Sequence, residues 1–200
     1  TPYGKPFLEI GNKIRINTNE NQVLDTYVLT HTFTYDGTSH SIGCVVSNAC
    51  LRSGSSTKDV VNLTLSNNKK INAGTYTANV TGLSNNNYTL PSTNLTRTWQ
   101  IKQVELKGLW STMNDFVYDG TTHVLYLTVT GFINSSDSSA VTSSSFTSSR
   151  NYTVSSSSSN SVILEFNIKD AGKYSHTISS FNNQNYIINE EMKKEVEVTQ

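Results

Sequence analysis

The sequence predicts an all-β chain of two tandem modules, and three observations carry that prediction. Apolar residues alternate with polar ones at a period of two, turn signals recur every ten residues or so, and a set of motifs appears twice in the same order. Ser, Thr and Asn make up 77 of the 200 residues, while charged residues are 15%. That balance disfavours helices: Ser, Thr and Asn bond their own backbone and suit turns and caps, and Thr's branched Cβ suits strands. Nor is the composition that of a disordered chain, because ten Tyr, seven Phe and two Trp recur in patterned runs with Val, Ile and Leu.

The elements follow in order. Residues 1–28 form an N-terminal segment in which Phe7, Leu8, Ile10, Ile14 and Ile16 are apolar enough for two strands, and Asn17 to Gln22 reads as a polar loop. Three readings stay open for it: first strands of the first module, tail of a preceding repeat, or a strand donated to a neighbouring subunit. Thr1-Pro2-Tyr3-Gly4 reads as a cut inside a longer chain. The first module is expected over 29–103, with alternating strands at Leu29, His31, Phe33 and Tyr35, at Val61, Leu63 and Leu65, and at Tyr76, Ala78 and Val80. The second, 104–200, repeats the period at Leu125, Leu127 and Val129, at Leu164, Phe166 and Ile168, and at Tyr174, His176 and Ile178. Many short strands at this spacing indicate a two-sheet sandwich in each module. A β-grasp-like arrangement is the alternative, which a clear helix would support.

Three landmarks define the repeat. Phe33-Thr34-Tyr35-Asp36-Gly37-Thr38-Ser39-His40 returns as Phe116-Val117-Tyr118-Asp119-Gly120-Thr121-Thr122-His123. Asn72-Ala73-Gly74-Thr75-Tyr76 returns as Asp170-Ala171-Gly172-Lys173-Tyr174, and Asn85-Asn86-Asn87-Tyr88 as Asn183-Gln184-Asn185-Tyr186. Asp-Gly after an aromatic signals a turn, since Gly supplies positive φ and Asp bonds the local backbone. Ala-Gly before a strand marks a second tight turn. The first landmarks lie 83 residues apart and the later ones 98, so the second module carries 15 extra residues. They fall in the Ser-rich insertion 134–161, which is expected to be a mobile loop or a solvated edge hairpin.

Fifteen basic and fifteen acidic residues are spread along the chain. Without a Lys/Arg cluster there is no footprint for nucleic acid or an anionic membrane surface. No apolar run approaches transmembrane length, so this segment is not expected to insert in a membrane. No Gly-x-Ser-x-Gly, His-Glu-x-x-His, phosphate loop or dinucleotide fingerprint occurs. His40 and His123 hold equivalent positions, yet their one carboxylate at short spacing is the Asp four residues earlier. A strand-start histidine bonded to the turn is preferred to a metal ligand. His31 and His176 fall on inward positions and read as satisfied core or edge histidines. Tyr3, Tyr27, Tyr126, Tyr152 and Trp110 offer an aromatic platform for sugar, against the commoner reading as packing. The chain is expected to be non-enzymatic and to hold no cofactor or metal.

Cys44 and Cys50 are the only cysteines. On one strand they would stand about 20 Å apart, at roughly 3.3 Å per residue. If the chain turns at Val46-Ser47-Asn48 they oppose each other in a hairpin within disulfide reach, and an extracellular setting favours the bond.

The ordered landmarks Tyr-Asp-Gly-Thr-x-His, Asn/Asp-Ala-Gly-x-Tyr and Asn-x-Asn-Tyr, with a closing strand ending Ile101-Lys102 or Val198-Thr199, resemble the MBG-type, bacterial Ig-like repeats. The resemblance covers 29–103 and 104–200 and implies Ig-like sandwiches in an extracellular or cell-surface array. It implies no catalytic residues, and the Ser-rich insertion and paired cysteines depart from the pattern. The residues carried over are those of the turns: Tyr35, Asp36, Gly37, His40, Gly74 and Tyr76, then Tyr118, Asp119, Gly120, His123, Gly172 and Tyr174. The expected role is a structural spacer or adhesin stalk whose partners are neighbouring repeats or subunits. Two alternatives stand beside it: an adhesin module binding a glycan or host protein, and an extracellular filament or layer subunit assembled by donation of the N-terminal strand.

Overall fold

The computed structural model describes residues 13–18, 23–28, 32–47, 60–93 and 95–200, with backbone alone at 13–18, 23–28 and 45–47. The protein is all-β. Its one described helix is the five-residue α1 (Ser135–Ser139). The chain divides into two compact units, one running to Lys102 without 35–37 and the other comprising Tyr35–Gly37 and 103–200.

In the first unit, β1 (Lys13–Thr18), β2 (Val23–Val28) and β5 (Cys44–Ser47) join β9 (Tyr88–Thr89) in a sheet of order β5-β2-β1-β9. The strands at 13–18 and 23–28 thus pair antiparallel with each other and with elements of the same unit. A second sheet contains β3 (Thr32–Thr34), β6 (Leu63–Ser66), β8 (Gly74–Leu83) and β10 (Thr96–Lys102) in the order β3-β10-β8-β6. Leu29 and His31 lie outside the described residues, and β3 covers the described part of the strand expected there. β4 (His40–Ser41) pairs with β7 (Lys69–Lys70). Alternation on β8 and β10 buries Ala78, Val80, Trp99 and Ile101. Val80 and Tyr88 pack with Leu63, Leu65, Leu83, Leu90 and Leu95. Trp99, the largest of these, donates its indole N–H to the Asn67 carbonyl at 3.0 Å.

The second unit holds two four-stranded sheets. One is β12 (Lys107–Trp110), β14 (His123–Thr130), β17 (Ser161–Ile168) and β16 (Thr153–Ser157), in that order. The other, β13-β20-β18-β15, runs through Phe116–Val117, Met192–Thr199, Gly172–Phe181 and Phe146–Ser148. β11 (Val104–Glu105) pairs parallel with β19 (Tyr186–Ile187). Period-two alternation buries Leu125, Leu127, Val129, Leu164, Phe166 and Ile168 from the first sheet and His176, Ile178, Val196 and Val198 from the second. These faces meet: the Phe166 and His176 ring centroids are 5.0 Å apart.

The two units share one topological feature that composition does not suggest. In each, the strand leading into Tyr-Asp-Gly runs parallel to the closing strand, β3 on β10 and β13 on β20. Phe33 is opposite Ile101, and Phe116 is opposite Val198. The next strands repeat as well, with β8 antiparallel to β10 and β18 to β20.

The Ser-rich insertion is not a loose loop. Asn134 caps α1 by accepting the Asp137 N–H at 2.9 Å, satisfying a helix-start donor that would otherwise lack a partner. Beyond it, 146–148 and 153–157 become edge strands, one in each sheet. The insertion brings its own apolar residues, since Val141, Phe146 and Tyr152 are buried. The Tyr152 hydroxyl accepts the Phe146 N–H at 2.8 Å and donates to the Thr142 carbonyl at 3.1 Å. Ser138, also buried, donates to the Ser158 carbonyl. The edge-hairpin half of the expectation describes 153–168, where β16 folds back on β17.

Candidate functional site

The repeated residues occupy turns, and apart from Tyr35 and Tyr186 the bonds described for them are local. Asp119 Oδ1 accepts the Thr121 N–H at 2.9 Å and the Thr121 hydroxyl at 2.8 Å, while His123 Nε2 lies 3.0 Å from Oδ2. The Thr121 N–H, then its hydroxyl, and further down His123 draw the Asp119 carboxyl down to about 2. His123 opens β14 and its ring lies 4.2 Å from Phe116. In the first copy His40 opens β4 and stacks on Phe33 at 4.6 Å. Gly37 and Gly120 share a φ of 77°, the left-handed region that Gly enters at least cost.

A second local device recurs at Gly74 and Gly172. Tyr76 donates its hydroxyl to the Asn72 carbonyl at 2.7 Å, and Tyr174 donates to the Asp170 carbonyl at the same distance. A Cβ on Gly74 would lie 3.0 Å from that Tyr76 hydroxyl oxygen. Each tyrosine thereby clasps the turn four residues before it, a role the sequence signalled only as a tight turn. The Asn-x-Asn-Tyr motif closes in the same way: the Asn87 N–H donates to Asn85 Oδ1 at 3.0 Å, and the Asn185 N–H to Asn183 Oδ1 at 2.9 Å.

One cluster in the second unit reaches across a long stretch of sequence. Asp137 Oδ2 accepts the Tyr186 hydroxyl at 2.6 Å and the Tyr35 hydroxyl at 2.9 Å. The two rings meet edge to face at 5.6 Å. Asn134 Nδ2 lies 3.5 Å from the Tyr35 hydroxyl oxygen, and the Ile133 N–H donates to the Tyr186 hydroxyl at 3.1 Å. Burial, followed by the bond to Asp137, pushes both tyrosine hydroxyls above their ordinary range. Sequence reasoning missed Asp137 because it sits in a Ser-rich run with no motif.

His176 corrects another expectation. It is 1% exposed, but neither ring nitrogen has a hydrogen-bond partner. Burial first, and then the Arg150 charge, lowers it to about 4. The ring packs instead against Phe166, Trp110 and Tyr174.

Among the described residues the aromatic platform is not assembled. Tyr152 is buried and the Trp110 indole nitrogen is shielded, leaving Tyr126 exposed; the side chains of Tyr3 and Tyr27 lie outside the described residues. Cys50 also lies outside them, and among the described residues there is no disulfide. Among these residues no group of three His, Cys, Asp or Glu stands ready for a metal ion. An open groove of about 580 Å³ is lined by Glu105, Lys107, Glu190, Glu191 and Lys193. Two of its three carboxylates pair with lysines of the groove, Glu191 with Lys193 at 2.6 Å and Glu105 with Lys107 at 4.0 Å. No described helix is long and apolar enough to cross a membrane.

Comparison with protein-family models, with curated proteins and with solved structures finds no match.

Proposed function

We propose that the chain is a structural spacer, two Ig-like β-sandwich units in series within an extracellular surface protein. The observation that carries this reading is the use of the repeated residues. Asp119, His123, Tyr76, Tyr174, Asn85 and Asn183 spend their polar groups closing turns of their own unit. Residues that recur for binding or catalysis converge instead on a shared cleft.

A second reading, an adhesin, draws on the outward face of the β12–β14–β17 sheet. Leu109, 74% exposed, stands opposite Thr128, which stands opposite Ile163, and Tyr126 is exposed along the same strand. One experiment separates the readings: the whole chain is passed over a glycan array and sized by light scattering across a range of concentrations. The spacer reading expects no retained glycan and one monodisperse monomer throughout. Glycan retention lost on Tyr126→Ala would replace it by the adhesin. Species that grow with concentration would replace it by the filament subunit.

A further inference from the structure

The chain carries the tripeptide Tyr-Asp-Gly twice with the same glycine φ, yet the two tyrosines stand in opposite environments. Tyr35, within the second unit, is 5% exposed, its hydroxyl on Asp137 and its ring on Tyr186. Gly37 is held so closely that a Cβ there would lie 3.2 Å from Asn134 Nδ2. Tyr118 is 47% exposed and its neighbour Val117 is 65% exposed. The turn beneath Tyr118 is already built: Gly120 has the φ of Gly37, Asp119 is bonded to Thr121, and the Tyr118 N–H is anchored on the Thr199 carbonyl. An exposed aromatic on a rigid turn has little conformational freedom left to lose on docking.

A second pair of residues holds corresponding places. Strand registers make Ile101 the counterpart of Val198, so Gln103 corresponds to Gln200. Gln103 Nε2 donates to the carbonyls of Gln184 and Tyr186, each at 3.0 Å, close to the ring that Tyr35 meets. Gln200 is exposed.

We propose that Tyr118 and Gln200 form a docking element for a further unit of this kind placed in series, one whose Asp carboxylate and Tyr ring form the seat that Asp137 and Tyr186 form for Tyr35. Tyr118 donates its hydroxyl to that carboxylate, and Gln200 donates its amide to the carbonyls beside the ring. The inference deepens the spacer reading and rests on it for the presence of further units. The free energy of docking comes from covering Tyr118 and Val117 and from a charge-assisted hydrogen bond.

The test extends the whole chain by a second copy of 104–200 after Gln200, the added copy carrying Tyr118→Phe so that only the original Tyr118 reports. Tyrosine nitration is then mapped by mass spectrometry. In the native chain Tyr118 is expected to react and Tyr35 to be protected. In the extended chain the original Tyr118 is expected to lose its reactivity, and Asp137→Ala in the added copy to restore it. A Tyr118 that reacts equally in native and extended chains overturns the proposal. If the added unit does not fold, the decision passes to Tyr35→Ala in the native chain, which empties the seat. Association of copies, abolished by adding Tyr118→Ala, is then expected, and a folded variant that stays monomeric overturns the proposal. Glycan retention by the native chain would remove the spacer reading without altering Tyr118 protection, so the two failures are distinguishable.

Discussion

His176 is the residue whose chemistry most exceeds its sequence signal. A buried imidazole with both nitrogens unpartnered is tolerable while neutral and costly when charged. Its folded value, about 4, lies below the ordinary 6.5. Above pH 6.5 both folded and unfolded states are neutral there, and the full stability is present. As pH falls from 6.5 toward 4 the unfolded chain takes up the proton first, so stability drops, by up to about 3 kcal/mol at 1.36 kcal/mol per pH unit. Urea midpoints of the native chain and His176→Leu, compared at pH 7 and pH 4.5, check this. The native chain is expected to lose more stability than the variant, and parallel pH profiles would exclude the effect. Tyr174 makes a smaller contribution at the same scale. Tyr174→Phe removes the hydroxyl bond to the Asp170 carbonyl and is expected to cost about 0.5–1 kcal/mol, measured as a shift in urea midpoint.

At the scale of elements, the Ser-rich insertion shows how a polar tract becomes ordered. Serine hydroxyls supply the bonds and three apolar side chains supply the anchor. Tyr152 joins the two, being buried and bonded to the Phe146 N–H and the Thr142 carbonyl. Tyr152→Phe keeps the ring but leaves the Phe146 N–H of an edge strand unsatisfied. The expected loss is about 1–3 kcal/mol, with faster hydrogen exchange at Phe146 and its strand neighbours. An unchanged midpoint and exchange rate would mean that the insertion is held by its serines alone.

At the scale of the molecule, the first unit is cored on Trp99, Ile101, Val80 and Tyr88, and the second on two facing rows that include Leu127, Leu164, Ile178 and Val198. Separate cores of this size unfold as separate cooperative units. Calorimetry is expected to show two transitions, and Gly108→Ala to move only one. A Cβ at Gly108 would overlap Met192 and reach within 3.0 Å of Leu127 Cδ1, an overpacking of about 1–3 kcal/mol. The shift should be roughly 4–8 °C per kcal/mol for a domain of this size. A single transition that moves as a whole would make the two units one cooperative body.

Much of this was written in the sequence, for a local reason. Alternation at Leu125, Leu127 and Val129, or at Leu164, Phe166 and Ile168, marks an inward face because successive side chains on a strand point to opposite sides. Asp-Gly and Ala-Gly mark turns because glycine enters φ regions that other residues avoid. Tertiary structure alone decided what depends on remote partners. The parallel pairing of the Tyr-Asp-Gly strands with the closing strands joins residues about 70–80 apart, and strand pairing leaves no mark at that distance. Asp137 becomes an acceptor only because Tyr35 and Tyr186 reach it, at separations of 102 and 49 residues. The same Tyr-Asp-Gly is buried at Tyr35 and exposed at Tyr118: the three residues fix the turn, whereas burial belongs to whatever lies against it.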